Sequence, residues 1–118
     1  MTLDEYFAGH EDSRPLFDAL YRLAEALGPM TIRVSKSQIA FRRRKAFAWA
    51  WIPGKYLRGK VAPLVLTLAL RTRNVSPRWK EIVEPSPGRF THHLELFDSR
   101  ELDDEVAGWL RDAWLAAT

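Results

Sequence analysis

The stretch TIRVSKSQIAFRRRKAFAWAWI, residues 31–52, decides the fold. Ile32 and Val34 alternate with Thr31, Arg33 and Ser35; after Lys36-Ser37 the same period of two resumes, with Ile39 and Phe41 set against Gln38, Ala40 and Arg42. Successive side chains of a strand point to opposite faces, so the pattern predicts two half-buried strands joined by a tight turn. A second turn around Arg44-Lys45 leads to a third strand from Phe47 to Ile52, closed by Pro53-Gly54. Past a basic loop, Leu64 to Leu70 supplies a fourth.

On the N-terminal side, Leu16, Phe17, Leu20, Leu23, Ala24 and Leu27 recur at helical spacing between an Asp12-Ser13-Arg14-Pro15 start and a Gly28-Pro29 stop. On the C-terminal side, Asn74 to Gly88 holds Pro77, Pro85 and Pro87. Proline donates nothing to a sheet ladder, so this segment is read as loop with one helical turn around Arg78 to Ile82. Thr91 to Leu96 returns as a fifth strand. The last element places Leu102, Val106, Trp109, Leu110 and Ala113 on one helical face, with Asp98 or Ser99 as cap and Glu101, Asp103, Asp104 and Glu105 crowding its start. The expected fold is α+β, one domain over residues 1–118: a two-layer sandwich with N- and C-terminal helices on one face of a five-stranded, mostly antiparallel sheet.

Charge is segregated along this order. From Ala26 to Lys80 there is no Asp or Glu, yet 13 of the 18 Lys and Arg residues lie there; the flanks hold all 15 carboxylates. Such a pattern implies one positive face for an anionic partner, or pairing between a basic sheet and acidic helices. The absence of cysteine excludes disulfides, thiolate metal sites and cysteine nucleophiles, and it suits a cytoplasmic setting. Met1 to Glu5 lacks an apolar signal core, and no apolar run approaches the roughly 20 residues of a membrane span, so no membrane association is expected.

The candidate anion-binding residues are Arg33, Lys36, Arg42, Arg44, Arg71 and Lys80, because guanidinium forks bind phosphate oxygens bidentately. Alternation sets Arg33, Arg42 and Arg71 opposite Ile32, Phe41 and Leu70, on a face shared with Thr31, Ser35 and Thr67. The alternative is that these are solvated residues partly paired with the acidic helices. Phe47, Trp49 and Trp51 form an aromatic stripe separated by Ala48 and Ala50. The commoner use of such a pattern buries the rings and turns the small residues outward, whereas exposed rings provide a stacking surface for bases. Trp51, Tyr56, Arg58, Trp79 and His93 make up a candidate pocket, although Trp79 also reads as an anchor pinning its loop to the core.

His92 and His93 are neighbours on a strand and point to opposite faces, so they do not share a metal ion. His92 goes inward with Leu94 and Leu96; His93 shares the other face with Glu95, a carboxylate able to orient its ring. With no nucleophile motif or metal cluster beside them, no catalytic residue, metal or cofactor is assigned.

Val34 to Phe41, Phe47-Ala48, Trp79-Lys80-Glu81, Phe90 to Leu94, and Leu102 to Val106 with Trp109-Leu110 together resemble a family of small, standalone, mostly bacterial domains of unknown function. That resemblance implies no activity, ligand or site residue. The element order is also similar to that of frataxin-like iron-binding proteins, which implies an open sheet face; the acidic ridge of those proteins has no counterpart in Thr31 to Phe41, which carries Arg33 and Lys36 and no carboxylate. Three readings of function follow. The first is a non-catalytic module that binds a phosphate-bearing or nucleic-acid partner. The second is a protein-interaction domain docking an acidic protein surface. The third is a small-molecule carrier or enzyme built on the aromatic pocket.

Overall fold

Lys36 and Ser37 form the expected two-residue turn: the Ser35 N–H donates to the Gln38 carbonyl at 3.0 Å, and Val34 pairs with Ile39 across it. The computed structural model describes all 118 residues. Helix α1 spans Leu3–Phe7 and α2 Arg14–Glu25; the strands are β1 Thr31–Val34, β2 Ile39–Arg42, β3 Ala46–Trp51, β4 Leu64–Leu70, β5 Glu81–Ser86 and β6 Arg89–Leu96; α3 is Asp104–Ala116. The strands form one sheet of six in the order β1-β2-β3-β4-β6-β5, with every pairing antiparallel.

The sixth strand corrects the loop expected between Asn74 and Gly88. Glu81, Ile82 and Val83 pair with His93, His92 and Thr91, where a helical turn was expected to end. Pro85 fits because β5 is an edge strand and the register shifts between Val83 and Ser86, so its missing N–H interrupts no ladder. The short helix α1 was also unforeseen, although Thr2-Leu3-Asp4-Glu5 carries its signal. The Thr2 hydroxyl accepts from the Glu5 N–H and the Glu5 carboxylate accepts from the Thr2 N–H, a reciprocal capping box. At α3 the cap is Asp103, which accepts from the Val106 N–H at 3.1 Å; Asp98 caps the preceding 3₁₀ turn instead.

Buried residues of all three helices and of one sheet face form a single cluster. Leu16, Leu20, Phe41, Leu66, Leu68, Val106, Trp109 and Leu110 lie in it as their spacing predicts, and Leu23 and Ile32 pack against it half-buried. Tyr6 and Phe7 from α1 join them, with the Phe7 ring 5.3 Å from that of Phe17.

The third strand splits its aromatic stripe. Phe41 pairs with Ala48 but Arg42 pairs with Ala46, which leaves Phe47 as the extra residue of a β-bulge. Phe47 therefore enters the core together with Ala48 and Ala50, while Trp49 and Trp51 point to the second face and remain partly exposed. Of the three rings only Phe47 is buried, and Ala48 and Ala50 face inward with it, the reverse of the alanines-outward expectation. Alanine at 48 and 50 leaves room for α3, which packs over β3 and β4.

Gly28 ends the α2 segment with φ +147°, and a Cβ there would fall 2.7 Å from Cζ2 of Trp114. The Trp114 ring is held by the Arg43 guanidinium 3.6 Å from its centroid and by donation of its Nε1–H to the Pro29 carbonyl. Gly28→Ala therefore meets both an unfavourable backbone conformation and a ring fixed on two sides. The expected loss is about 1–3 kcal/mol of folding stability, read from the denaturant midpoint; an unchanged midpoint would contradict the close approach of α3 to this turn.

Candidate ligand-binding cleft

Strand register lines up one row of side chains across all six strands of the second face: Arg33, Ala40, Trp49, Thr67, His93 and Glu81. Ala40 is small, so nothing bulky stands between Arg33 and the Trp49 ring. Neighbouring strands are about 4.8 Å apart, which puts Arg33 and His93 each about 10 Å from Trp49 on opposite sides. Beside this row lies a cleft of about 650 Å³ lined by Ser37, Gln38, Trp49, Trp51, Tyr56, Leu57, Thr67, Arg89, Thr91 and His93. A second, of about 530 Å³, shares Trp51, Leu57 and His93 with it and adds Lys60, Lys80, Glu81 and Glu95.

One wall is the loop after β3, and its position is fixed by hydrogen bonds. The Tyr56 hydroxyl donates to the Ser37 carbonyl at 2.9 Å, and the Tyr6 hydroxyl donates to the same oxygen at 3.3 Å. Lys55 Nζ donates to the Tyr6 carbonyl at 2.7 Å and sits 3.5 Å from the centre of its ring. Burial pushes the Tyr6 phenol up to about 12 and holds the Lys55 ammonium below its ordinary range. Tyr6 is thus a protonated donor at neutral pH.

The floor is a chain of hydrogen bonds. Trp51 Nε1–H donates to Thr67 Oγ1 at 2.9 Å, and Thr67 Oγ1 bonds His93 Nδ1 at 2.8 Å. The partner orienting His93 is therefore Thr67, where Glu95 was the expected one. Burial holds the His93 imidazole below its ordinary value, with the nearby Glu81 carboxylate opposing the shift.

His92 faces the other way and is fully buried. Its Nε2 accepts from the Asn74 N–H at 2.9 Å, which leaves Nδ1–H to donate to the Phe90 carbonyl at 3.2 Å. The Asn74 side-chain oxygen accepts from Trp79 Nε1–H, and the Trp79 ring packs 4.8 Å from His92 and 4.2 Å from Trp109. Trp79 accordingly anchors its loop beneath α3, on the helix side of the sheet. It does not meet Trp51, Tyr56 and His93, which do come together; Arg58 is exposed and lines neither cleft.

The candidate anion-binding residues separate into groups. Arg33 and Arg42 lie on the second face; Lys36 occupies the β1–β2 turn. Arg71 donates to the Ala116 carbonyl and Arg43 to that of Trp114, while the Arg44 N–H reaches the Ala117 carbonyl. These bonds satisfy the C-terminal carbonyls of α3, where positive charge also interacts favourably with the negative end of the helix dipole. Lys80 stands 4.0 Å from Glu95, and Arg78 holds Asp103 and Glu105 at 3.0 and 2.8 Å. Those two are the members of the basic segment with ion pairs to acidic residues. Arg89 joins the cleft although it lies outside that segment; alternation back from His93 through Thr91 marks it as sharing the face. No three His, Asp or Glu side chains converge as a metal site would need.

A family model described as a domain of unknown function, DUF5655, matches residues 3–117. The chain belongs to that family. No curated protein and no solved structure matches it. No helix is long and apolar enough to cross a membrane.

Both histidines are held below their ordinary value of 6.5 in the folded chain, His92 by burial first and then by Arg73 and His93. The unfolded chain therefore binds more protons, and stability present above about pH 6.5 is lost as pH falls through the folded values. Melting temperature should decline between pH 7 and 5, and less so in His92→Gln, whose amide retains an acceptor for Asn74. A flat profile in the parent would contradict the neutral, buried His92.

Proposed function

We propose that the chain is a two-layer sandwich whose second sheet face, left open by the helices, binds single-stranded nucleic acid. The observation that carries this reading is the row Arg33, Ala40, Trp49 on a face that also presents Arg42 and Arg89. A partly exposed ring flanked by guanidinium groups supplies what a single strand requires: a flat surface for a base and cations for its phosphates. Neither Arg33 nor Arg42 has an ion pair or side-chain hydrogen bond within the chain, so neither is diverted to structure. The binding is non-catalytic and needs no cofactor, and we place it in the cytoplasm in keeping with the cysteine-free sequence.

Affinity for a short single-stranded oligonucleotide across a salt series tests the reading, because each neutralised phosphate releases condensed counterions. The parent should weaken steeply with salt. In Arg33→Ala/Arg42→Ala the log–log slope should flatten by about 1.4, two contacts at roughly 0.7 each, whereas Arg111→Ala on α3 should leave it unchanged. Trp49→Leu should cost about 1–3 kcal/mol of affinity, the loss of one stacked base. No binding at low salt, or equal slopes in parent and double variant, would overturn the proposal and favour an acidic protein surface as the partner.

A further inference from the structure

The hydrogen-bond chain from Trp51 through Thr67 to His93 fixes which ring nitrogen of His93 carries the proton. Trp51 Nε1–H is a donor only, so at 2.9 Å it occupies a lone pair of Thr67 Oγ1. The Thr67 hydroxyl has one proton of its own, its residue is 5% exposed, and its remaining partner is His93 Nδ1 at 2.8 Å. Were Nδ1 the donor, the second lone pair of Oγ1 would accept it but the hydroxyl proton would have no partner; the hydroxyl proton therefore goes to Nδ1, and neutral His93 carries its proton on Nε2. No group of the protein bonds Nε2, and no buried side-chain nitrogen or oxygen lacks a partner, so Nε2–H opens to solvent in the cleft.

We infer that the His93 end of the cleft is a base-recognition subsite, in which Nε2–H donates to an exocyclic carbonyl oxygen of a nucleobase. This rests on the nucleic-acid reading above and deepens it. Protonating His93 would put a proton on Nδ1 and leave the Thr67 hydroxyl proton without its acceptor, a cost separate from that of burial. The charged groups around this end, Glu81 and Glu95 against Lys60 and Lys80, balance one another. A neutral donor in balanced surroundings suits a carbonyl better than a phosphate or carboxylate. The phosphate belongs instead near Arg89, four residues earlier on the same strand and about 13 Å along it. The same cleft is lined by the aromatic rings of Trp49, level with His93, and Trp51, as a planar base requires. Bases bearing a carbonyl, such as uracil, are favoured over adenine, which has none.

The tests use uridine and adenosine 5′-monophosphates with nitrogen-15 spectra of the histidine rings. In the free protein at pH 7.5, His93 should show a protonated Nε2 and an unprotonated Nδ1. Thr67→Val, which removes the hydroxyl and keeps the side-chain volume, should lose that bias while remaining folded by its denaturation curve. Uridine monophosphate should shift the Nε2 signal. His93→Phe should weaken its binding about three- to tenfold, the worth of one neutral hydrogen bond, and change adenosine monophosphate binding less than twofold. A protonated Nδ1, no response of Nε2 to the uridine nucleotide, or equal losses for both nucleotides would each overturn the inference. Steep, arginine-dependent salt slopes with no His93 effect would leave the nucleic-acid reading standing and remove this subsite. A His93 response without those slopes would retain the subsite and remove the wider platform.

Discussion

The bulge at Phe47 is the constraint on which the rest of the structure depends. A strand reading Phe-Ala-Trp-Ala-Trp sends all three rings to one face if it pairs regularly, because the side-chain period is two. One unpaired residue breaks that period: Phe47 and Ala48 both turn toward the helices, and Trp49 and Trp51 turn away. The same residue thus completes the core beside Phe41, 6.4 Å ring to ring, and leaves two indoles on the opposite surface. Past the bulge β3 pairs regularly with β4, and there Trp51 reaches Thr67 and, through it, His93, which forms the cleft's hydrogen-bond floor.

Charge is divided between structure and surface. The acid-free segment faces acidic flanks, yet only Arg78 and Lys80 in it pair with carboxylates. Arg43 and Arg71 bond carbonyls at the end of α3, and Lys55 bonds the Tyr6 carbonyl. Arg33, Lys36, Arg42, Arg44, Lys45, Arg58, Lys60 and Arg73 have neither an ion pair nor a side-chain hydrogen bond, and two of them stand in or beside the row that contains Trp49. Internal pairing therefore neutralises only a small part of the basic segment.

Strong periodicity made most of the fold legible. The residues from Thr31 to Arg42 and from Leu64 to Leu70 carry an unambiguous period or a continuous apolar run, and the helical faces at Leu16 to Leu27 and Leu102 to Ala113 are equally plain. β5 was not legible because Pro85 reports what its backbone cannot donate, not that an edge position leaves one side of it unpaired. The bulge was hidden for a related reason: it exists only in the pairing of β2 with β3, so the sequence of β3 alone does not show it. In the cleft, Trp51, Tyr56 and His93 were marked by residue type. Trp79 was marked with them, but its loop carries it under α3. Thr67 escaped notice as a relay because a hydroxyl in an apolar strand reveals its partner only when β4 and β6 are in register.

The central claim is that the bulged strand presents Trp49 on an open, arginine-flanked face for a single strand to occupy. Titration of a short single-stranded oligonucleotide into isotope-labelled protein, observed at the indole and arginine side-chain N–H signals, tests it most directly. The Trp49 indole and the Arg33 and Arg42 side chains should shift together, with Trp79 and Trp109 unmoved beneath α3. Shifts confined to Arg43 and Arg71 at the end of α3, or no shift at Trp49 when binding is complete, would contradict it.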